Sequence, residues 1–187
     1  MPRLPYSDPT ATPDDVAEWL SHMPKATVID MLSHSVSTVQ PFLQQAAAFF
    51  TSLELPERAR EVTILVIAAL IECEYESVQH LPIAEAAGVA AGTREILQRR
   101  DFESSELSSQ DRALARFIEQ VVATPKISDE AFDDLRPHFS DREIVEILQI
   151  IGFYWSLGRL CTVLEVDIEY PDGLSSFQAV VDVGRKK

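Results

Sequence analysis

The segment from residue 55 to residue 71 constrains this chain more than any other. Leu55-Pro56-Glu57-Arg58-Ala59-Arg60-Glu61 is charged, and Val62-Thr63-Ile64-Leu65-Val66-Ile67-Ala68-Ala69-Leu70-Ile71 behind it is one of the most apolar runs in the protein. An apolar run of this length fits either a buried strand or a buried helix. Counting in the charged first turns, and with alanines at 68 and 69, the segment reads as a buried helix with Pro56 at its first position.

The rest of the sequence has the same character. Thr12-Pro13-Asp14-Asp15 is a helix start, with Thr12 as cap, Pro13 at the first position and acids in the positive first turn. Two helical stretches follow at 26–34 and 36–52, the second with Phe42, Ala46, Phe49, Phe50 and Leu53 at helical spacing. The helix behind Pro56 runs on through residues 72–87 to Gly88, a C-terminal stop glycine, with a kink at Pro82. A short helix spans 93–100. Ser108 and Ser140 open capping boxes for helices over about 109–123 and 141–164, and Ser128 caps a short one ending near Pro137. Gly152 and Gly158 in the last long helix suit close helix packing. Residues 1–11 form an extended N-terminal tail. Residues 167–187 form a loose C-terminal tail with Leu174, Phe177, Val180 and Val181 as anchors. The expectation is a single all-α domain over 12–166, of eight or nine helices. Only six glycines stand against eleven prolines, which argues against an all-β fold.

Composition narrows the function. The chain has 187 residues, 46% apolar and 25% charged, enough for a real core. Its formal charge of −14 excludes nucleic-acid binding through a basic face and disfavours anionic membranes. An anionic substrate would need a local basic patch. The two cysteines, Cys73 and Cys161, make neither a disulfide framework nor a zinc-finger spacing. They fit a reducing, cytoplasmic setting. The N-terminus lacks the apolar stretch of a signal peptide, and the run at 62–71 is too short to span a bilayer.

Directly after the apolar run stands Glu72-Cys73-Glu74-Tyr75-Glu76-Ser77-Val78-Gln79-His80. In a helix Cys73, Glu76 and His80 share one stripe. Reactive side chains held against a core are where pKa values move.

Four segments resemble the carboxymuconolactone decarboxylase family, which includes the AhpD-like alkylhydroperoxidase proteins. They are Ile29-Asp30-Met31-Leu32-Ser33-His34-Ser35, the Leu55–Glu61 stretch with its apolar helix, Cys73-Glu74-Tyr75-Glu76 with His80-Leu81-Pro82-Ile83-Ala84 and Ala87-Gly88, and Phe139-Ser140-Asp141-Arg142-Glu143 with Gly152-Phe153-Tyr154. The resemblance implies an AhpD-like all-α fold, no cofactor and a homo-oligomer, as trimer or hexamer with dimers also found. The family's peroxidase branch carries Glu-x11-Cys-x2-Cys-x3-His. Glu61, Cys73 and His80 fall on the first, second and last positions, and Glu76 replaces the second cysteine. A dithiol peroxidase needs that partner thiol, so the departure argues against CxxC peroxidase activity.

What remains is the family's other chemistry, a cofactor-independent lyase acting by proton transfer on a small cyclic acid or lactone. Its setting would be aromatic catabolism or secondary-metabolite tailoring. Loss of carbon dioxide leaves a dienolate-like anion that must be stabilised and protonated. On this reading His80 is the general acid/base, Glu61 sets its tautomer, Glu76 tunes the site and Cys73 lines the pocket. Each has a plainer alternative. His80 could be a structural helix histidine, Glu61 a solvated first-turn acid, Glu76 one half of an i,i+4 pair, and Cys73 a small core residue. The four together could also ligate zinc, although the family binds no metal. Tyr154 and Trp155 are candidate pocket walls or simple core. Arg58, Arg60 and Arg159 are candidates for holding a substrate carboxylate. Arg142 reads as a surface or capping residue, and His34 as an exposed or interface histidine. The alternative functions are a non-catalytic ligand-binding or assembly protein and a thiol oxidoreductase centred on Cys73.

Overall fold

The computed structural model describes residues 1–8 and 12–170, and the anchors expected at 174–181 lie outside them. Among the described residues there are nine α-helices and no strand, as the helical periodicity requires. The described residues divide into two units, one formed by those of 1–53 together with 160–170, the other by 54–159.

In the first unit, α1 (Asp14–Leu20) and α2 (Thr27–Leu32) pack on α3 (Val36–Thr51). Ile29, Met31, Val39, Leu43, Ala47 and Phe49 form its buried face. Pro13 caps α1 from outside instead of occupying its first turn. The ends of the unit are tied together. The Arg3 amide donates to the Leu164 carbonyl at 2.8 Å, and the Arg3 side chain pairs with Glu165. Thr27 Oγ1 donates to the Asp167 carbonyl at 2.7 Å. Asp167, the first residue of the segment expected to be a tail, is thus hydrogen-bonded to the first turn of α2. His34 is exposed, with Nε2 2.7 Å from the Pro5 carbonyl oxygen.

The second unit is built round α4 (Glu57–Leu70), which packs on α5 (Glu74–Ala86), α6 (Ala91–Gln98) and α7 (Ser109–Ala123), while α8 (Asp129–Leu135) packs on α7. Pro56 again sits one position outside the helix, as its cap. Every residue of α4 from Ala59 to Ala68 is buried, including Arg60, Glu61 and Thr63. A helix buried all round belongs at the centre of its unit. Its entry is fixed by Glu146, whose carboxylate accepts from the amides of Glu54 and Leu55 at 3.0 and 2.8 Å and from Arg142 Nε at 2.8 Å.

Helix α9 (Asp141–Leu164) begins with a reciprocal capping box, Glu143 N to Ser140 Oγ at 3.2 Å and Ser140 N to Glu143 Oε2 at 2.7 Å. By length and composition alone α9 could cross a bilayer. Within the second unit, however, Ile144, Ile147, Ile150, Ile151, Phe153 and Tyr154 make a buried face, as in a core helix.

The chain departs from the expected continuous helix at residue 71. Instead of running on to Gly88, α4 stops at Leu70 and α5 starts at Glu74. Glu72 adopts a left-handed conformation (φ 57°), and the Cys73 amide donates back to the Ala68 carbonyl at 2.9 Å. That closure is the usual glycine-based helix stop, made here with a glutamate. Helix α5 then passes through Pro82 and ends before Gly88 (φ 84°), the stop expected there.

Candidate functional site

On α5 the residues Glu76, His80 and Ala84 recur at four-residue spacing and are all buried. Such a stripe faces the core, and in most helices it would be apolar. Here two of its three positions carry ionisable side chains. Opposite them, the second turn of α4 brings Arg60 and Glu61 into the interior. Glu61 is fully buried, and Arg60, Glu76 and His80 are no more than 6% exposed.

These side chains form one line of contacts. Arg60 Nε donates to Glu61 Oε1 at 2.8 Å. Glu61 Oε2 lies 2.9 Å from His80 Nδ1. With Arg60 on the first oxygen, the second accepts the Nδ1–H of His80, an assignment made from the hydrogen-bond pattern. His80 Nε2 is thereby directed at Glu76 Oε2, 3.6 Å away. At the far end the Cys73 sulfur lies within 4.8 Å of a Glu76 carboxylate oxygen. Tyr154 from α9 stands edge-on against the His80 ring, with centroids 5.0 Å apart and planes at 86°.

Burial pushes the Glu76 carboxyl up to about 7, against a partial opposing pull from His80. Glu76 therefore exchanges its proton near neutrality. Burial, with the nearby charges of Glu76 and Glu61, pushes the Tyr154 phenol well above its ordinary value, Arg60 opposing, so Tyr154 keeps its proton. The cluster thus offers a neutral acid, an imidazole with one fixed nitrogen, and a phenol beside them.

The other residues singled out in the sequence lie elsewhere. Arg58 spends two donors on Asp111, at 2.7 and 2.8 Å, clamping the first turn of α4 to that of α7. Tyr154 and Trp155 are neighbours on α9 and so point about 100° apart. Tyr154 joins the cluster, whereas Trp155 is 45% exposed with the Arg159 guanidinium over its ring at 5.8 Å. Cys73 is buried at the cap of α5 instead of within a continuous helix. It also lines a cleft of about 340 Å³ at the start of α5, together with Ser77, Glu72 and Arg100. Cys73 therefore stands between that cleft and Glu76. Arg60 was read as a possible anion holder, and its engagement with Glu61 shows in no spacing rule, because adjacent helix residues normally diverge.

No protein-family model matches the sequence, and no curated relative was found. Solved structures do match. A peroxidase-related protein from Ralstonia eutropha, described as an alkylhydroperoxidase AhpD core, superimposes with a TM-score of 0.73 at 20% identity, over 90% of this chain and 92% of that one. The fold is AhpD-like. A peroxidase-related protein from Silicibacter sp. TM1040 gives the same TM-score at 18% identity, over 94% of this chain and 95% of that one. The debrominase Bmp8 gives 0.67 at 17% identity, over 92% of each chain, so proteins of this fold include an enzyme. A cysteine-to-alanine variant of Bmp8, in complex with 2,3,4-tribromopyrrole, gives 0.67 as well.

Proposed function

We propose that this protein is a cofactor-independent, decarboxylase-like enzyme that transfers a proton on a small cyclic acid or lactone. The observation that carries the reading is Glu76, a buried carboxyl whose proton exchanges at about 7, facing a histidine held from behind by Glu61. As the carbon–carboxylate bond breaks, its electron pair moves into the conjugated ring and carbon dioxide leaves. Glu76 gives its proton to the ring carbon, and its carboxylate is reprotonated from solvent through His80, whose free Nε2 takes up a proton and passes it on while Nδ1–H stays on Glu61. The 3.6 Å gap between them exceeds a hydrogen bond, and such gaps tighten when substrate fills the site. Cys73 bounds the cleft where the ring would enter. The expected oligomer and cytoplasmic location belong to the same proposal.

The test is turnover of unsaturated lactone acids in D2O, followed by carbon dioxide release and by deuterium on the product carbon. Removing a general acid costs about 10²–10⁴ in rate. Glu76→Gln and His80→Ala should each lose that much while remaining folded by circular dichroism. Full activity in His80→Ala would sink the assignment. Saturable binding without turnover in the wild type would favour a ligand-binding role instead. A second reading makes Cys73 the nucleophile, favoured by its place between the cleft and Glu76. Cys73→Ala separates the two, since proton transfer through Glu76 survives it and thiol chemistry does not.

A further inference from the structure

We infer that Arg60 is a positioning residue for the proton site: by holding one oxygen of Glu61, it fixes the other on His80 Nδ1 and leaves Nε2 as the working nitrogen. This rests on the proton-transfer reading above.

Arg60 is 3% exposed and lies in the one stretch of α4 that is buried on every side. An unpaired guanidinium there would lose several kcal/mol of hydration, so its position has to be matched by a carboxylate. Glu61 is that carboxylate, and the pairing is unusual in form. Neighbouring residues on a helix point about 100° apart, so both side chains have to turn toward each other to meet through Nε. Arg58, two positions earlier, shows the ordinary outcome by reaching a different helix, at Asp111.

Among the described residues of the second unit, these ionisable groups stand around His80 and Glu76. From α4 come Arg60 and Glu61, from α5 Cys73, and from α9 Tyr154. The charge that α6 sets against α5 is Arg94, engaged at the C-terminal end of α5 with Glu85 and the Val89 carbonyl. Arg60 is thus the permanent positive charge bonded to Glu61. While it is present, Glu61 takes the Nδ1–H, and the neutral ring carries no proton on Nε2. Without it the buried carboxylate has lost its counter-charge, and the site takes up a further proton, which makes His80 doubly protonated at a pH where it was neutral.

The experiment is ring-nitrogen NMR on the full chain. It has four histidines, and the His80 signals are those missing from a His80→Gln spectrum. In the wild type, neutral His80 should carry its proton on Nδ1. In Arg60→Gln its titration midpoint should rise by at least about one unit, a tenfold change in proton affinity. Arg60→Lys, which keeps the charge, should return the midpoint most of the way. A wild-type ring protonated on Nε2 overturns the inference, whether or not any variant folds. So does a folded Arg60→Gln protein with an unchanged midpoint. The measurement needs no substrate. Failure of every lactone acid to turn over, with the Nδ1 tautomer and the shift both found, would remove the proposed reaction and leave the role of Arg60 standing.

Discussion

Glu76 couples the site to stability. Its carboxyl titrates at about 7 in the folded chain, against an ordinary value of 4.5. Below 4.5 both states hold the proton and Glu76 adds nothing to the pH dependence. Between 4.5 and 7 the folded state holds the proton and the unfolded state does not, so stability falls as pH rises. Above 7 the loss is complete, at about 3 kcal/mol. Glu76→Gln cannot ionise, and should be more stable than the wild type at pH 8 by up to about that amount while matching it near pH 4. Urea unfolding at the two pH values measures this, and an equal gap at both would show that Glu76 is not the titrating group. At this scale the sequence was informative where a spacing rule applied. Glu76 and His80 share one buried stripe because four-residue steps on one helix leave little choice, whereas the place of Glu61 against His80 was implied by the family resemblance and not by a spacing rule. The pairing of Arg60 with Glu61 was not legible, because adjacent helix residues have no preferred contact. Trp155 and Arg159 fell on the outer face because one step along a helix turns a side chain from core to solvent.

The helix starts were the most legible elements, since a serine cap needs only its own hydroxyl and an amide three residues on. Ser108, Ser128 and Ser140 all accept such a bond. The stop at residue 71 was hidden because no glycine marks it. Three helices end on a left-handed residue that is not glycine: Glu72, Arg100 and Glu165. Tertiary closure overrides local preference there, and Glu72 and Arg100 are additionally paired to each other at 2.7 Å. Glycines in α9 were also legible only in part. A side chain at Gly158 would strike Ile71 and come within 3.4 Å of the Cys73 Cβ, whereas one at Gly152 would meet nothing within 4 Å. Close packing therefore applies to Gly158 alone. Gly152→Ala should stabilise the chain by about 0.5–1 kcal/mol through helix propensity. Gly158→Ala gains the same term but must displace a buried Ile71, and should be net destabilising by about 1 kcal/mol. Chemical denaturation of the two variants side by side checks this, and equal stabilities would refute it. Glu146 offers a second test at this level. Burial alone would raise its carboxyl, yet the Leu55 and Glu54 amides and Arg142 outweigh burial and hold it below the ordinary value. A lowered carboxyl stabilises above its unfolded value and loses that contribution as pH falls through its folded one. Glu146→Gln should therefore cost about 1–3 kcal/mol at pH 7 and less in acid. An equal loss at both pH values would mean that the charge on Glu146 plays no part.

For the molecule as a whole, the all-α class was legible because helix starts, stops and periods agreed along most of the chain. The division into two units was not, because it depends on contacts between residues far apart in sequence. Net charge is the property that belongs to this scale alone. Even with every one of the 16 basic residues paired, 14 of the 30 acidic ones have no basic counterpart. Compacting that excess works against folding through mutual repulsion. At about 10 mM salt the screening length is roughly 30 Å, and near physiological ionic strength it shrinks to about 8 Å. The folded state gains more from this screening than the expanded chain does. Exposed pairs such as Arg3–Glu165 weaken over the same range, but each is worth about 0–1 kcal/mol, and the buried pairs are screened far less. The repulsive term is the larger. Adding sodium chloride from about 10 to about 150 mM should thus raise the stability by on the order of 1 kcal/mol, or about 2–4 °C in Tm. Thermal unfolding by circular dichroism across that salt series measures it. A Tm that stayed level or fell would mean that attractive pairs, not the excess of carboxylates, dominate the electrostatics of the folded chain.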